Sequence, residues 1–211
     1  MKTEGTRMTM ARWSAHLSLG LAPLLLLAAC SSQAPPRFHS LMTPASSVRV
    51  ASSPAITAWQ LLPVSIPAQV DQPQFVVRRA DETLAVLEQE RWIAPLTDEI
   101  RAALVEQMAA TLGSPGTPPA PGRKDWRIAV DVQRFDSTLG RSSLVAQWLL
   151  LAAGDAPVLR CRSVIEQSVG AGIPALAGGH RQALQQLGSA IALALVALDA
   201  GAATGCPATN R

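Results

Sequence analysis

Between residues 126 and 132, in WRIAVDV, every second residue is bulky and apolar: Trp126, Ile128, Val130 and Val132 alternate with Arg127, Ala129 and Asp131. A period of two predicts a strand with one buried face. Arg134-Phe135 breaks the parity, which predicts a bulge or a strand end. Residues 142–153, SSLVAQWLLLAA, are apolar on nearly both parities, the pattern of a central strand. Residues 158–168 form a third strand with Arg160, Arg162 and Glu166 on its wet face. Upstream, short strands are predicted at 38–43, 56–67, 73–81 and 83–92. Pro63 and Pro67 place the second of these at an edge or end it early, because proline cannot donate to a ladder. Asp81-Glu82 is a turn signal that makes the last two a hairpin. From Ile93 the period changes: Leu96, Ile100, Ala103, Leu104, Met108 and Leu112 recur at helical spacing. Pro95 suits the first turn, Asp98 and Glu99 complement the positive end of the dipole, and Gly113 stops the helix. A second, Ala-rich helix is predicted over 175–199, with Leu184, Leu187, Ile191, Leu195 and Leu198 as its stripe. The predicted fold is α+β, in the order ββββ-α-βββ-α: a mixed or antiparallel sheet with two amphipathic helices packed on one face.

The chain begins differently. Leu17 to Ala29 is an uncharged run of thirteen residues behind Lys2, Arg7 and Arg12. A membrane span needs about 20, whereas thirteen suits the apolar segment of a secretory signal. Leu27-Ala28-Ala29-Cys30 resembles the lipobox of bacterial lipoprotein signals. That resemblance implies cleavage before Cys30, a diacylglycerol on its thiol and an acylated amino terminus. Ser31, where lipoproteins kept in the inner membrane generally carry Asp, then implies the outer membrane. The expected organisation is 1–29 signal peptide, 30–37 lipidated tether, 38–200 a single α+β domain, and 201–211 a C-terminal tail. The tether reaches at most about 25 Å, so the domain stays close to the membrane.

Charge adds little. The chain has 18 Lys and Arg against 15 Asp and Glu, and much of the excess sits in the signal segment. No basic run marks a nucleic-acid partner. The stretch 113–124, GSPGTPPAPGRK, is a Pro/Gly loop longer than most connections. Cys161 shares strand parity with Leu159 and Ile165, and Cys206 follows the last helix. In an oxidising compartment the two can pair, or they can be one buried thiol and one in a tail.

Motifs for chemistry are sparse. His39 and His180 have no metal-ligand spacing, and no Cys-x-x-Cys or Gly-x-Ser-x-Gly occurs. Gly170-Ala171-Gly172 lacks the rest of a dinucleotide fingerprint. Asp131 and Glu166, read as acids on adjacent strands, are taken as solvated sheet residues. No catalytic residue, metal or cofactor is expected. An unrecognised hydrolase would need a Ser, His and acid cluster around His39 or His180.

Several passages occur in an order that resembles the PqiC family of ABC-type transport auxiliary lipoproteins. Phe38-His39-Ser40-Leu41 follows the lipobox, with His39 where an aromatic is common. LLPVSIP leads to DQPQFVVR. ERWIAPLTDEIRAAL carries the Arg-Trp-x-x-Pro-Leu passage into the first helix, and VDVQRF with LVAQWLL, holding Trp148, forms a strand pair. The resemblance implies a non-enzymatic accessory subunit of an MCE-type intermembrane lipid transport system that supports envelope integrity. Its partner would be an MCE-domain protein spanning the periplasm, and the subunit would be a homo-oligomer on the periplasmic face of the outer membrane. Arg91, Trp92 and Pro95 are candidate partner contacts, since Trp and Arg are frequent interface anchors. They also fit a packed tryptophan, an arginine lying over it and a helix start, and packing is the weightier reading. The alternative function is a periplasmic adaptor lipoprotein in another envelope-assembly complex.

Overall fold

The computed structural model describes residues 34–43, 58–116, 124–152, 157–202 and 205–208. The segment expected to be a signal peptide, with Cys30 and its lipobox-like motif, lies outside them, as does most of the Pro/Gly loop. All the elements fall within Pro36–Arg211. In chain order they are β1 (Arg37–His39), β2 (Ala58–Leu61), β3 (Gln74–Arg78), β4 (Leu84–Trp92), α1 (Leu96–Leu112), β5 (Asp125–Thr138), β6 (Arg141–Leu151), β7 (Pro157–Ser168) and α2 (Ile173–Asp199). The class and order match the α+β expectation.

The strands make two sheets, ordered β1-β4-β3 and β2-β5-β6-β7. β1 runs parallel to β4 and β2 parallel to β5, while the remaining pairs are antiparallel. The sheets meet where β3 packs against β5. There Arg78 of β3 reaches Asp136 of β5 at 3.3 Å. α2 lies over β6 and β7, and α1 packs on α2. Arg101 of α1 donates to the Leu61 carbonyl, and the Trp59 indole donates to Gly113, so α1 is also tied to β2.

The alternation in β5 explains this layering. Trp126, Ile128, Val130 and Val132 are all buried, and the register slips by one residue between Val132 and Arg134. That slip returns Phe135 to the buried face. β6 is central, flanked by β5 and β7; of its two apolar parities, Leu144, Ala146, Trp148 and Leu150 are buried while Leu149 and Leu151 are half-buried. The indoles of Trp126 and Trp148 bury with their N–H groups satisfied, by Asp199 and Ser163, which removes the main cost of burying that side chain.

Some boundaries differ from the pattern. β1 ends at His39, because Ser40 and Leu41 turn away to bond α1. β2 stops before Pro63; the chain then follows β5 irregularly through Leu62 and Ser65. Pro95 is the N-cap of α1, with non-helical torsions, rather than part of its first turn. Its carbonyl still accepts from Asp98 and Glu99. Ile93 is 58% exposed instead of joining the buried stripe. Asp131 and Glu166 are not on adjacent strands: β6 separates them.

Candidate functional site

The chain is fastened where it enters the fold. Glu90 falls on the buried parity of β4 with Trp92, so its charge must be paired. It accepts hydrogen bonds from Arg37 and from His39 Nε2, the latter at 2.6 Å. Burial alone would raise the Glu90 carboxyl; the bonds from His39 and Arg37, with their charge, outweigh it and hold the group below its ordinary value. On α1, buried Glu99 accepts from Ser40 Oγ at 2.8 Å and the Leu41 amide at 2.7 Å. Glu106 accepts from the Thr43 amide, and Gln185 of α2 donates to Thr43 Oγ1. Residues 37–43 are thus strapped across β4, α1 and α2.

Beside this strap lies a groove of about 320 Å³ between the 71–73 turn and the 92–96 link. Trp92 is its floor: it is 5% exposed, 4.7 Å from the Phe75 ring, and its amide donates to Pro73. Pro95 is part of the wall. Arg91 is not, because its guanidinium folds back to the Glu88 carbonyl. Ile93 lines the groove and donates its amide to His39, one residue beyond the exposed Phe38. Of the three candidate contacts, Trp92 and Pro95 therefore share a cavity, and the exposed large hydrophobic side chain that lines it is Ile93, which its spacing had placed in the helix stripe.

A second, shallower groove of about 730 Å³ runs over the helices, lined by Gln107, Gln182, Gln185, Gln186 and Ser189. Pro207 and Ala208 form part of it. They adjoin Cys206, which is disulfide-bonded to Cys161 on the buried face of β7.

The two histidines of the described residues lie in different surroundings. His180 is fully buried, stacked on Phe135 at 3.8 Å and paired with Ser137 Oγ at 2.8 Å. Burial pushes it down to about 3, so it is neutral at physiological pH. A nucleophilic triad needs an acid on Nδ1, and that atom has no hydrogen-bond partner among the described residues. The acid Glu90 serves His39 instead. Among the described residues no three His, Cys, Asp or Glu side chains group as metal ligands, and no helix is long and apolar enough to cross a membrane. The sequence pattern assigned Glu99 only to the helix dipole and gave Glu90 no role, although Glu90 could have been found as an acid sharing strand parity with Trp92.

The described fold is two sheets backed by a helix pair, with a strapped amino-terminal segment beside an apolar groove. The family of ABC-type transport auxiliary lipoprotein components matches residues 39–192, and the chain belongs to that family, which includes the PqiC-like lipoproteins. It is not a known enzyme family. No curated protein matches the chain. Among solved structures, the crystal structure of an uncharacterized protein is similar at TM-score 0.62 and 16% identity, over 77% of this chain and 99% of that one. A Xanthomonas campestris protein of family DUF330 is similar at TM-score 0.55 and 22% identity, over 69% of this chain and 89% of that one. At these identities the likeness is one of fold.

Proposed function

We propose that this protein is an outer-membrane lipoprotein, anchored through acyl chains on Cys30, that serves as the accessory subunit of an MCE-type lipid transport system. Residues 1–29 are its signal peptide and 30–37 its tether. The observation that carries the reading is the place of the lipobox: Cys30 stands seven residues before Arg37, the first residue of the strap. An anchor there loads β1, and β1 is held by the buried Glu90 and backed by Glu99 on α1. The Trp92 groove, with Ile93 and Pro95, is the docking site for the MCE-domain partner, and the subunit works as a homo-oligomer in supporting envelope integrity. The role is mechanical and adhesive rather than catalytic, so no cofactor enters it.

In-cell crosslinking of the lipidated protein, followed by affinity purification and mass spectrometry, tests this. Recovery of an MCE-domain protein that disappears with Cys30→Ala is the expected result. Recovery of only the protein itself, or of assembly factors alone, overturns the transport role.

A further inference from the structure

We propose that the sheet face opposite the helices lies against the bilayer and binds anionic phospholipid headgroups. The proposal rests on the anchored reading above for its geometry. On this side the two sheets are joined by Arg78 of β3, which reaches Asp136 of β5 across the boundary between them. The acids of this face are largely occupied: Asp136 by Arg78 and Arg134, Glu166 by Arg141, and Asp131 by the Ser65 hydroxyl.

Arg160 and Arg162 differ. They are exposed on β7, and their cross-strand neighbours are Leu149 and Gln147, neither of which carries charge. Val158, 49% exposed, shares their parity, and Leu84 and Val86 are exposed on β4. Phe38 stands on the parity of β1 opposite Arg37 and His39 and is also exposed. Cationic side chains among scattered apolar ones suit an interfacial surface, where arginine meets phosphate and apolar groups sit at the headgroup boundary. The helix layer offers no such charge: α1 and α2 carry Arg101 and Arg181 against Asp98, Glu99, Glu106 and Asp199. The short tether adds a geometric reason. A seven-residue link to Cys30 spans at most about 25 Å, and it joins the fold at β1, on the edge of this sheet.

The experiment places an environment-sensitive fluorophore on Val86→Cys, on the sheet face, or on Leu193→Cys, on the exposed side of α2. Each lipidated full-length protein is put into nanodiscs of phosphatidylcholine with or without phosphatidylglycerol, and quenching by headgroup spin-labelled lipid is read. The expected result is stronger quenching at position 86 than at 193, increased by phosphatidylglycerol and lost in Arg160→Glu/Arg162→Glu. The milder Arg160→Gln/Arg162→Gln pair, which leaves the fold less disturbed, should lower it part-way. Equal quenching at both positions, or no response to phosphatidylglycerol or the arginines, overturns the proposal. So does shielding of position 86 that depends on protein concentration and not on lipid, which would mean that a second copy covers the face. Intact mass of the same samples reads acylation at Cys30. An unacylated chain defeats the anchor itself, whereas an acylated chain with equal quenching defeats only the orientation.

Discussion

His39 Nε2 lies 2.6 Å from Glu90 Oε2, which joins the first strand of the fold to a buried carboxylate on β4. Arg37 takes the other carboxylate oxygen. The pair converts a three-residue parallel strand, weak by its backbone bonds alone, into a fixed root for the upstream chain. Glu90→Gln keeps the shape but removes the charge that both donors serve. It should cost about 2 kcal/mol, the scale of buried hydrogen bonds to a charged group, with Arg37, largely solvent-exposed, contributing little. Urea denaturation of the two proteins measures the loss, and an unchanged midpoint would refute the root.

Acid should weaken the fold in two windows that overlap only at their acid end. His180 has a folded value of about 3 against 6.5 when unfolded. Between these values the unfolded chain binds a proton that the folded chain refuses, so stability falls as pH drops from about 6.5 toward 3. The slope approaches about 1.4 kcal/mol per pH unit. Glu90, held below its ordinary 4.5, contributes stability that is present above that value and lost as pH falls through its lower folded one. His180→Phe should flatten the profile between pH 6 and 5 and leave the lower limb. Urea midpoints across pH 7 to 4 decide it, and a slope that survives the substitution would assign the upper window elsewhere.

Much of the architecture could be read from periodicity because β5 and α2 each present one continuous apolar face. The bulge near Arg134 was legible for the same reason: parity broke and then resumed at Phe135. Strand partners were not legible. Parallel pairing of β1 with β4 and of β2 with β5 depends on how intervening elements pack, and a four-residue strand such as Ala58–Leu61 carries too little pattern to choose a neighbour. The candidate site was half visible. Trp92 and Pro95 stood out by residue type, but Ile93 fitted a helical stripe until Pro95 took the cap. His180 could be placed on a helix, yet its burial depends on the close approach at Gly179, which sequence alone does not reveal.

That approach makes adjacent glycines behave oppositely. A Cβ on Gly179 would stand 2.6 Å from Val169 Cγ1 and 2.7 Å from Ser142 Oγ. Ser142 cannot yield freely, because its hydroxyl is bonded to the Leu176 carbonyl. Gly179→Ala should therefore destabilise by about 1–3 kcal/mol, the range for overpacking. At Gly178 the nearest atom is the end of Arg181, 3.6 Å away, so Gly178→Ala should gain up to about 1 kcal/mol from helix propensity. Thermal melts of the pair give the answer; a shift of the same sign in both would mean that α2 does not seat on β6 this closely.

The disulfide between Cys161 and Cys206 closes a loop of 45 residues that contains all of α2. Chain-entropy reasoning gives such a loop about 4 kcal/mol. Cys206→Ser should lower the unfolding midpoint by a corresponding amount, and reductant should lower that of the parent protein but not that of the variant. A parent protein indifferent to reductant would show that the bridge contributes nothing to folding.

The groove offers the test closest to function. Ile93 is 58% exposed, so Ile93→Glu should change stability by no more than about 0.5 kcal/mol. An apolar side chain at the mouth of a groove floored by Trp92 is nonetheless where a partner would bury area, and a charge there must be desolvated on docking. Recovery of the crosslinked partner should fall about tenfold or more, as for loss of an interface anchor. Leu139→Glu, 93% exposed in the turn between β5 and β6 and away from the groove, introduces the same charge and serves as the control. Equal recovery from the Ile93→Glu and parent proteins would move the docking site away from Trp92 and toward the glutamine-lined groove on the helices.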